Sequence, residues 1–226
     1  MRIGVFTPLL TSFSLEAVLE KLASYQIRTV EPGTGNYPGA AHCKLSMLED
    51  SAALDDFKRK VDEAEFTISA LSSHGNPLHP DSRRAKHARE ISSRTILLAE
   101  KLNVPVVVDF SSRLGDSAHS IRPNRSTCPW PPEYLETLNW QWDEVAVPYW
   151  TDQAKFAADH GVKIAIGMPP GFLVCNPETM LRLRGPAGPS IGCNYDPSHM
   201  FWQGIDPVAA IRLPGDCIFH VHAKDK

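Results

Sequence analysis

The sequence predicts an α/β protein, a (β/α) barrel of parallel strands in a single domain, and three observations carry this. Short apolar runs alternate with amphipathic helical stretches in a unit of about 30 residues, the spacing of parallel strands joined by helical crossovers. Polar residues stand at the C-terminal ends of several different strands, at Glu31, His74, Asp109, Asp196 and His222, as on a barrel rim. The segment after the first strand, Thr7-Pro8-Leu9-Leu10-Thr11, is not the glycine-rich phosphate turn that a doubly wound open sheet would want.

Strands are expected near residues 3–7, 28–31, 66–71, 104–110, 163–166, 191–195 and 217–222. Ser14 offers an N-cap to a helix whose Leu15, Val18, Leu19 and Leu22 form one stripe. Leu54, Phe57 and Val61 mark the next helix, and Ser82 opens a long one reaching about Leu102. The valine-rich strand at 104–110 has the composition of a strand buried on both faces. Residues 111–132 are rich in proline and lack periodicity, so they read as a long functional loop. Helical pattern resumes over 133–160 with a break expected at Pro148. Further helices lie near 177–184 and from Asp206 onward. This makes seven strands. A closed barrel has eight in roughly 250 residues, so the 226-residue chain reads as one barrel domain, residues 1–226, incomplete at its C-terminal end.

Composition excludes several classes. With 42% hydrophobic and 22% charged residues the chain is an ordinary globular one rather than disordered. A net charge of -3 gives no basic face for nucleic acid, and the cluster Arg83-Arg84-Ala85-Lys86-His87 reads as a solvated helix face. The five cysteines, Cys43, Cys128, Cys175, Cys193 and Cys217, form no Cys-x-x-Cys pair, so neither a disulfide framework nor a zinc finger is indicated. No signal-peptide pattern or membrane-spanning run is present, and a cytoplasmic location with no membrane partner is expected.

The richest chemistry lies near the C-terminus, in Asn194-Tyr195-Asp196-Pro197-Ser198-His199 and Phe219-His220-Val221-His222-Ala223-Lys224-Asp225. Each half is a strand ending in groups able to bind a divalent metal or a polyol. Asp196 in isolation suits a turn before Pro197. His220 shares a strand face with His222 and rivals it; His222 is preferred as the residue nearer the strand's C-terminal end. His74 and Asn76, at the end of the third strand, either order a loop or face a substrate. Glu31 needs a partner inside a barrel. Trp130, in the proline-rich loop, is the tryptophan best placed to stack on a sugar.

Four motifs in order, Val30-Glu31-Pro32-Gly33-Thr34-Gly35-Asn36-Tyr37-Pro38-Gly39, Leu71-Ser72-Ser73-His74-Gly75-Asn76-Pro77-Leu78-His79-Pro80, Thr127-Cys128-Pro129-Trp130-Pro131 and Asp196-Pro197-Ser198-His199-Met200-Phe201-Trp202-Gln203-Gly204, carry a resemblance. The chain resembles the sugar phosphate isomerase/epimerase family of the xylose isomerase-like TIM barrel superfamily, which also includes ketose 3-epimerases and endonuclease IV. The resemblance implies a divalent metal, commonly manganese or magnesium, held by a glutamate, an aspartate, a histidine and a second glutamate on strands five to eight. Asp196 matches the aspartate and His222 the histidine, while His199 matches a substrate-contacting position. The strand-five glutamate, expected in a pattern like Glu-Met-His-Pro-Gly, is replaced in Gly167-Met168-Pro169-Pro170-Gly171. The strand-eight glutamate would lie beyond Lys226.

In the family the metal polarises sugar oxygens while carboxylates move the proton. With two carboxylates gone, weak metal binding by Asp196 and His222 is expected, with Asp109 a candidate substitute ligand. His199, His74, Asn76, Glu31, Trp130 and Lys224 are the expected contacts to a sugar or sugar phosphate. Impaired isomerase or epimerase activity follows, with self-association through open sheet edges. A non-catalytic sugar-binding protein is the alternative. An abasic-site endonuclease is a further one, which would need more metal ligands and a basic face.

Overall fold

The computed structural model describes residues 2–224. Eight strand segments, β1 (Val5–Phe6), β2 (Thr29–Glu31), β3 (Thr67–Ile68), β4 (Leu71–Ser72), β5 (Val106–Phe110), β6 (Lys163–Gly167), β7 (Ile191–Tyr195) and β8 (Ile218–Val221), are all parallel. They pair in sequence order, β1-β2-β3 and β4-β5-β6-β7-β8. The third expected strand is interrupted at Ser69-Ala70, so β3 and β4 occupy one position. Ser69 N–H donates to Val30 O and Ser72 N–H to Pro32 O, and a parallel bridge joins Gly33 to Ser72. The two sheets therefore form one curved wall of seven staves. Among the described residues β1 and β8 each pair along one edge only.

Helices cover the outer face of this wall. Helix α1 (Leu15–Ser24) begins where Ser14 Oγ accepts from Ala17 N–H, and α2 (Ser51–Glu63) where Asp50 does the same for Ala53. Helix α3 (Ser82–Lys101) buries small residues, Ala85, Ala88, Ser92, Thr95 and Ala99, which let it lie close to the sheet. After the long loop come α4 (Pro132–Asn139) and α5 (Val147–Asp159). The expected break at Pro148 is instead a π-helical stretch, Trp140–Ala146, on its N-terminal side. A proline inside a helix clashes with the carbonyl four residues back; the wider turn removes that clash, and Val147 N–H bonds to Trp142 O. Helix α6 (Pro177–Ala187) carries a capping box between Asn176 and Thr179; α7 (Pro197–Trp202) and α8 (Pro207–Arg212) are capped by Asp196 and Asp206.

Strand alternation sorts residues between two cores. Outward residues such as Leu71, Val107, Ile164, Ile166, Ile191 and Cys193 join the main core with the helices. Inward residues Ala70, Val106, Val108 and Ala165 form a smaller cluster against Phe219. The register slips at Cys193/Asn194, where Cys193 faces Ile218 and Asn194 faces His220. This bulge adds Phe219 to β8, and Gly192 makes room for its ring: a Cβ there would lie 2.4 Å from it. Phe219 then fills the floor of the barrel, and His220 and His222 both face the mouth.

Candidate functional site

Glu31 is the last residue of β2 and points inward, 4% exposed. Its Oε1 accepts a short hydrogen bond from the Ser72 hydroxyl on β4. Its Oε2 lies 2.9 Å from His220 Nε2 and 2.7 Å from His222 Nε2, both across the barrel on and just beyond β8. Burial pushes the carboxyl up, but hydrogen bonds from His220 and His222 override this and hold it well below the usual carboxylate range. Glu31 is therefore an ionised group in a closed setting. His222 Nδ1 meets the Asn194 side-chain amide nitrogen at 2.9 Å, so that amide donates to the ring.

Asp196 closes β7 and leads into α7. Its Oδ1 accepts from Ser198 N–H at 3.0 Å and Ser198 Oγ at 2.7 Å, so it caps α7. Its Oδ2 is buried without a partner in hydrogen-bonding geometry. The Lys224 ammonium stands 2.8 Å from it as an ion pair, with His199 Nε2 at 3.4 Å. Burial raises the Asp196 pKa, yet Lys224 and Ser198 lower it overall. His199 is pushed down mainly by burial; Asp196 opposes that shift, whereas Lys224 and His222 add to it.

His74 is buried and its ring packs against Phe110 at 4.4 Å between centroids, His222 at 5.9 Å and Phe6 at 6.0 Å. Burial pushes its pKa down to about 3, with Glu31 opposing, so it is neutral near pH 7. Asn76 orders the loop: its amide donates to Arg113 O and accepts from Arg113 N–H, both at 3.0 Å. Trp130 sits 74% exposed on the long loop.

Two features correct the sequence reading. Asp109 does not reach the mouth, because the pleat of β5 turns it outward toward α3. There it accepts from Gly75 and Phe110 N–H and from the hydroxyls of Ser92 and Ser73. Burial raises its pKa to about 6, and with its oxygens already engaged it is no substitute ligand. Second, His220 is not displaced by His222; both rings face Glu31. The two-residue spacing on one strand already pointed to a shared face. Ser72, Asn194 and Phe110 were missed, since nothing local to them signals a contact across the barrel.

Gly167 ends β6 facing the interior. A Cβ there would lie 2.7 Å from the Phe110 ring, which packs on Phe172 at 4.8 Å between centroids. Aromatic carbon thus occupies the space a side chain at 167 would enter. A metal gripped from that strand, as the resemblance implies, does not fit, and Asp196 is already engaged by Lys224. Glu31, His220 and His222, by contrast, bring three ligand atoms within 4.8 Å of one another and could hold a metal ion.

With this geometry in hand, the family model described as xylose isomerase-like TIM barrel matches residues 19–226. The chain belongs to that family. It is 38% identical over 229 residues to "Uncharacterized protein YfiH" of Bacillus subtilis (strain 168), across 100% of this chain and 73% of that one. Its fold is similar to the probable 3-DHS dehydratase AsbF of Bacillus anthracis, with a TM-score of 0.69 and 17% identity over 98% of this chain and 72% of that one. It is also similar to a D-psicose 3-epimerase with D-tagatose from Clostridium cellulolyticum H10, TM-score 0.68 and 16% identity over 100% of this chain and 73% of that one. At these identities the solved structures establish the shared fold alone. No helix among the described residues is long and apolar enough to cross a membrane.

Proposed function

We propose that this chain is a barrel of the sugar isomerase and epimerase type that takes a ketose, an aldose or a phosphorylated sugar at its mouth, with low capacity for proton transfer. The observation that carries the reading is Phe110 standing over Gly167, on the side where the resemblance expects a carboxylate. Isomerisation or epimerisation removes a proton beside a carbonyl and returns it elsewhere or on the other face, which takes an acid and a base on the right sides of the sugar. Gly167 supplies neither.

The remaining groups suit recognition. Lys224, Asp196 and His199 offer a cation, a carboxylate and an imidazole to sugar hydroxyls or a phosphate. His74, kept neutral, gives a hydrogen-bonding edge, and Phe6 and Phe110 give apolar faces for C–H groups. A cation bridging Asp196 to His222 would be held weakly, because Lys224 already neutralises that carboxylate and the His222 ring is turned to Glu31. The second reading, a sugar-binding protein without catalysis, rests on the same Phe110–Gly167 contact.

Calorimetry and product analysis with D-tagatose, D-fructose and their 6-phosphates test the proposal. The expected result is saturable binding with turnover below that of an intact epimerase by about 1,000-fold, the usual scale of losing an acid–base group. Absence of binding to every sugar, or rapid turnover by the purified chain, would overturn it.

A further inference from the structure

Two ligand atoms each about 2.1 Å from a tetrahedrally coordinated cation lie about 3.4 Å apart. Glu31 Oε2 stands 2.9 Å from His220 Nε2 and 2.7 Å from His222 Nε2, hydrogen-bonded pairs that a cation replacing the shared protons would open by roughly half an ångström each. Ser72 binds the other oxygen of Glu31 and fixes the carboxylate with Oε2 toward the imidazoles. The three side chains are largely buried, with 5%, 15% and 20% of each exposed for Glu31, His220 and His222.

We propose that Glu31, His220 and His222 form a divalent transition-metal site of two imidazoles and one carboxylate, displaced from the ligand positions the resemblance implies. Imidazole donors favour zinc, cobalt or ferrous ion, whereas magnesium favours all-oxygen surroundings. Three protein ligands leave positions open for water or a sugar oxygen. The displacement follows from the interior. The β6 side carries glycine under an aromatic ring, the Asp196 carboxylate faces Lys224, and the bulge in β8 aims two histidines at Glu31.

Asn194 is the positioning residue of this site. With Nε2–H of His222 donating to Glu31, Nδ1 is the acceptor and takes the Asn194 N–H, leaving the buried Asn194 Oδ1 without a partner. With Nε2 on a metal, the neutral ring carries its proton on Nδ1 and needs an acceptor. Rotating the Asn194 amide by half a turn presents Oδ1 to it. An amide serves both tautomers from one position, which neither an aliphatic nor a lysine side chain does.

The test is a titration of the chelator-stripped full chain with cobalt(II), read by visible absorption, then competition with zinc and magnesium. No sugar is present, so the outcome is independent of the sugar-directed reading. One equivalent of cobalt is expected, displaced by zinc and retained against about 100-fold excess magnesium. His220→Gln keeps a hydrogen-bond donor toward Glu31 but removes the imidazole, and should weaken cobalt binding by at least about 100-fold. Asn194→Leu should weaken it about 10- to 100-fold. Asp196→Asn should change it by less than about 3-fold, the scale of a screened neighbouring charge. Circular dichroism checks that each variant is folded. Lack of cobalt binding by the parent chain, or binding that survives His220→Gln and vanishes in Asp196→Asn, would overturn the assignment.

Discussion

The two sides of the barrel mouth differ in chemistry although each is built from parallel strand ends. On the side of β2 and β8, Glu31, Ser72, His220, His222 and Asn194 form a hydrogen-bonded cluster around one buried carboxylate. On the side of β5 and β6, Phe110 lies over Gly167 and against His74 and Phe172, and the carboxylate of β5, Asp109, faces the helices. A barrel rim therefore does not distribute function evenly: the scaffold supplies equivalent positions, and packing decides which of them hold polar groups. At Gly167, where the resemblance implies a carboxylate, aromatic carbon from the neighbouring stave fills the space.

The contrast is sharpest in what each side should lose on substitution. Glu31→Ala leaves Ser72, His220 and His222 without their shared acceptor in a buried setting, and should destabilise the fold by about 4 kcal/mol in a urea melt. A loss under about 1 kcal/mol would mean the cluster is solvated in solution and the comparison between the two sides fails.

Asp109 probes the outward side through pH. Its folded pKa is raised from 3.8 to about 6, so its ionisation opposes folding. The penalty is absent below the unfolded value, grows as pH rises through this window and is complete above it, at about 3 kcal/mol. Asp109→Asn should remove that dependence, since the Ser73 and Ser92 hydroxyls can turn to accept from an amide. His74 acts with the opposite sign: its pKa is pushed down to about 3, so its contribution is lost as pH falls from 6.5 toward that value. Stability profiles from pH 3 to 7 for the parent chain and Asp109→Asn would separate the two; identical slopes would show that Asp109 does not titrate in this range.

Next in size is Gly167→Glu. Its Cβ meets the Phe110 ring, and overpacking of this kind destabilises by about 2 kcal/mol. Pairing it with Phe110→Ala should recover part of that loss, while the single substitution should not raise sugar turnover. Full stability of Gly167→Glu would show that Phe110 moves aside freely. The smallest effect belongs to Lys224→Met. Lys224 is 53% exposed in its pair with Asp196, so stability should change by less than about 1 kcal/mol, whereas binding of a sugar phosphate should weaken. An unchanged phosphate preference would remove Lys224 from the recognition set.

Much of this molecule was legible in the chain itself. The alternation of apolar strands and capped amphipathic helices set the order and parallel sense of the sheet, because those signals are local: periodicity, caps and the turn after the first strand. The same residues placed Glu31, His74, Asp196 and His222 at strand ends, and the absent side chain at 167 was visible directly. What only the tertiary structure decided is who meets whom. Glu31 and His220 are separated by 189 positions and meet because the wall curves until β8 faces β2. A bulge set by Gly192 and Phe219 turned two histidines inward, and the pleat of β5 turned Phe110 in and Asp109 out. Such contacts depend on register and curvature summed over the whole sheet, and no window of sequence contains that sum.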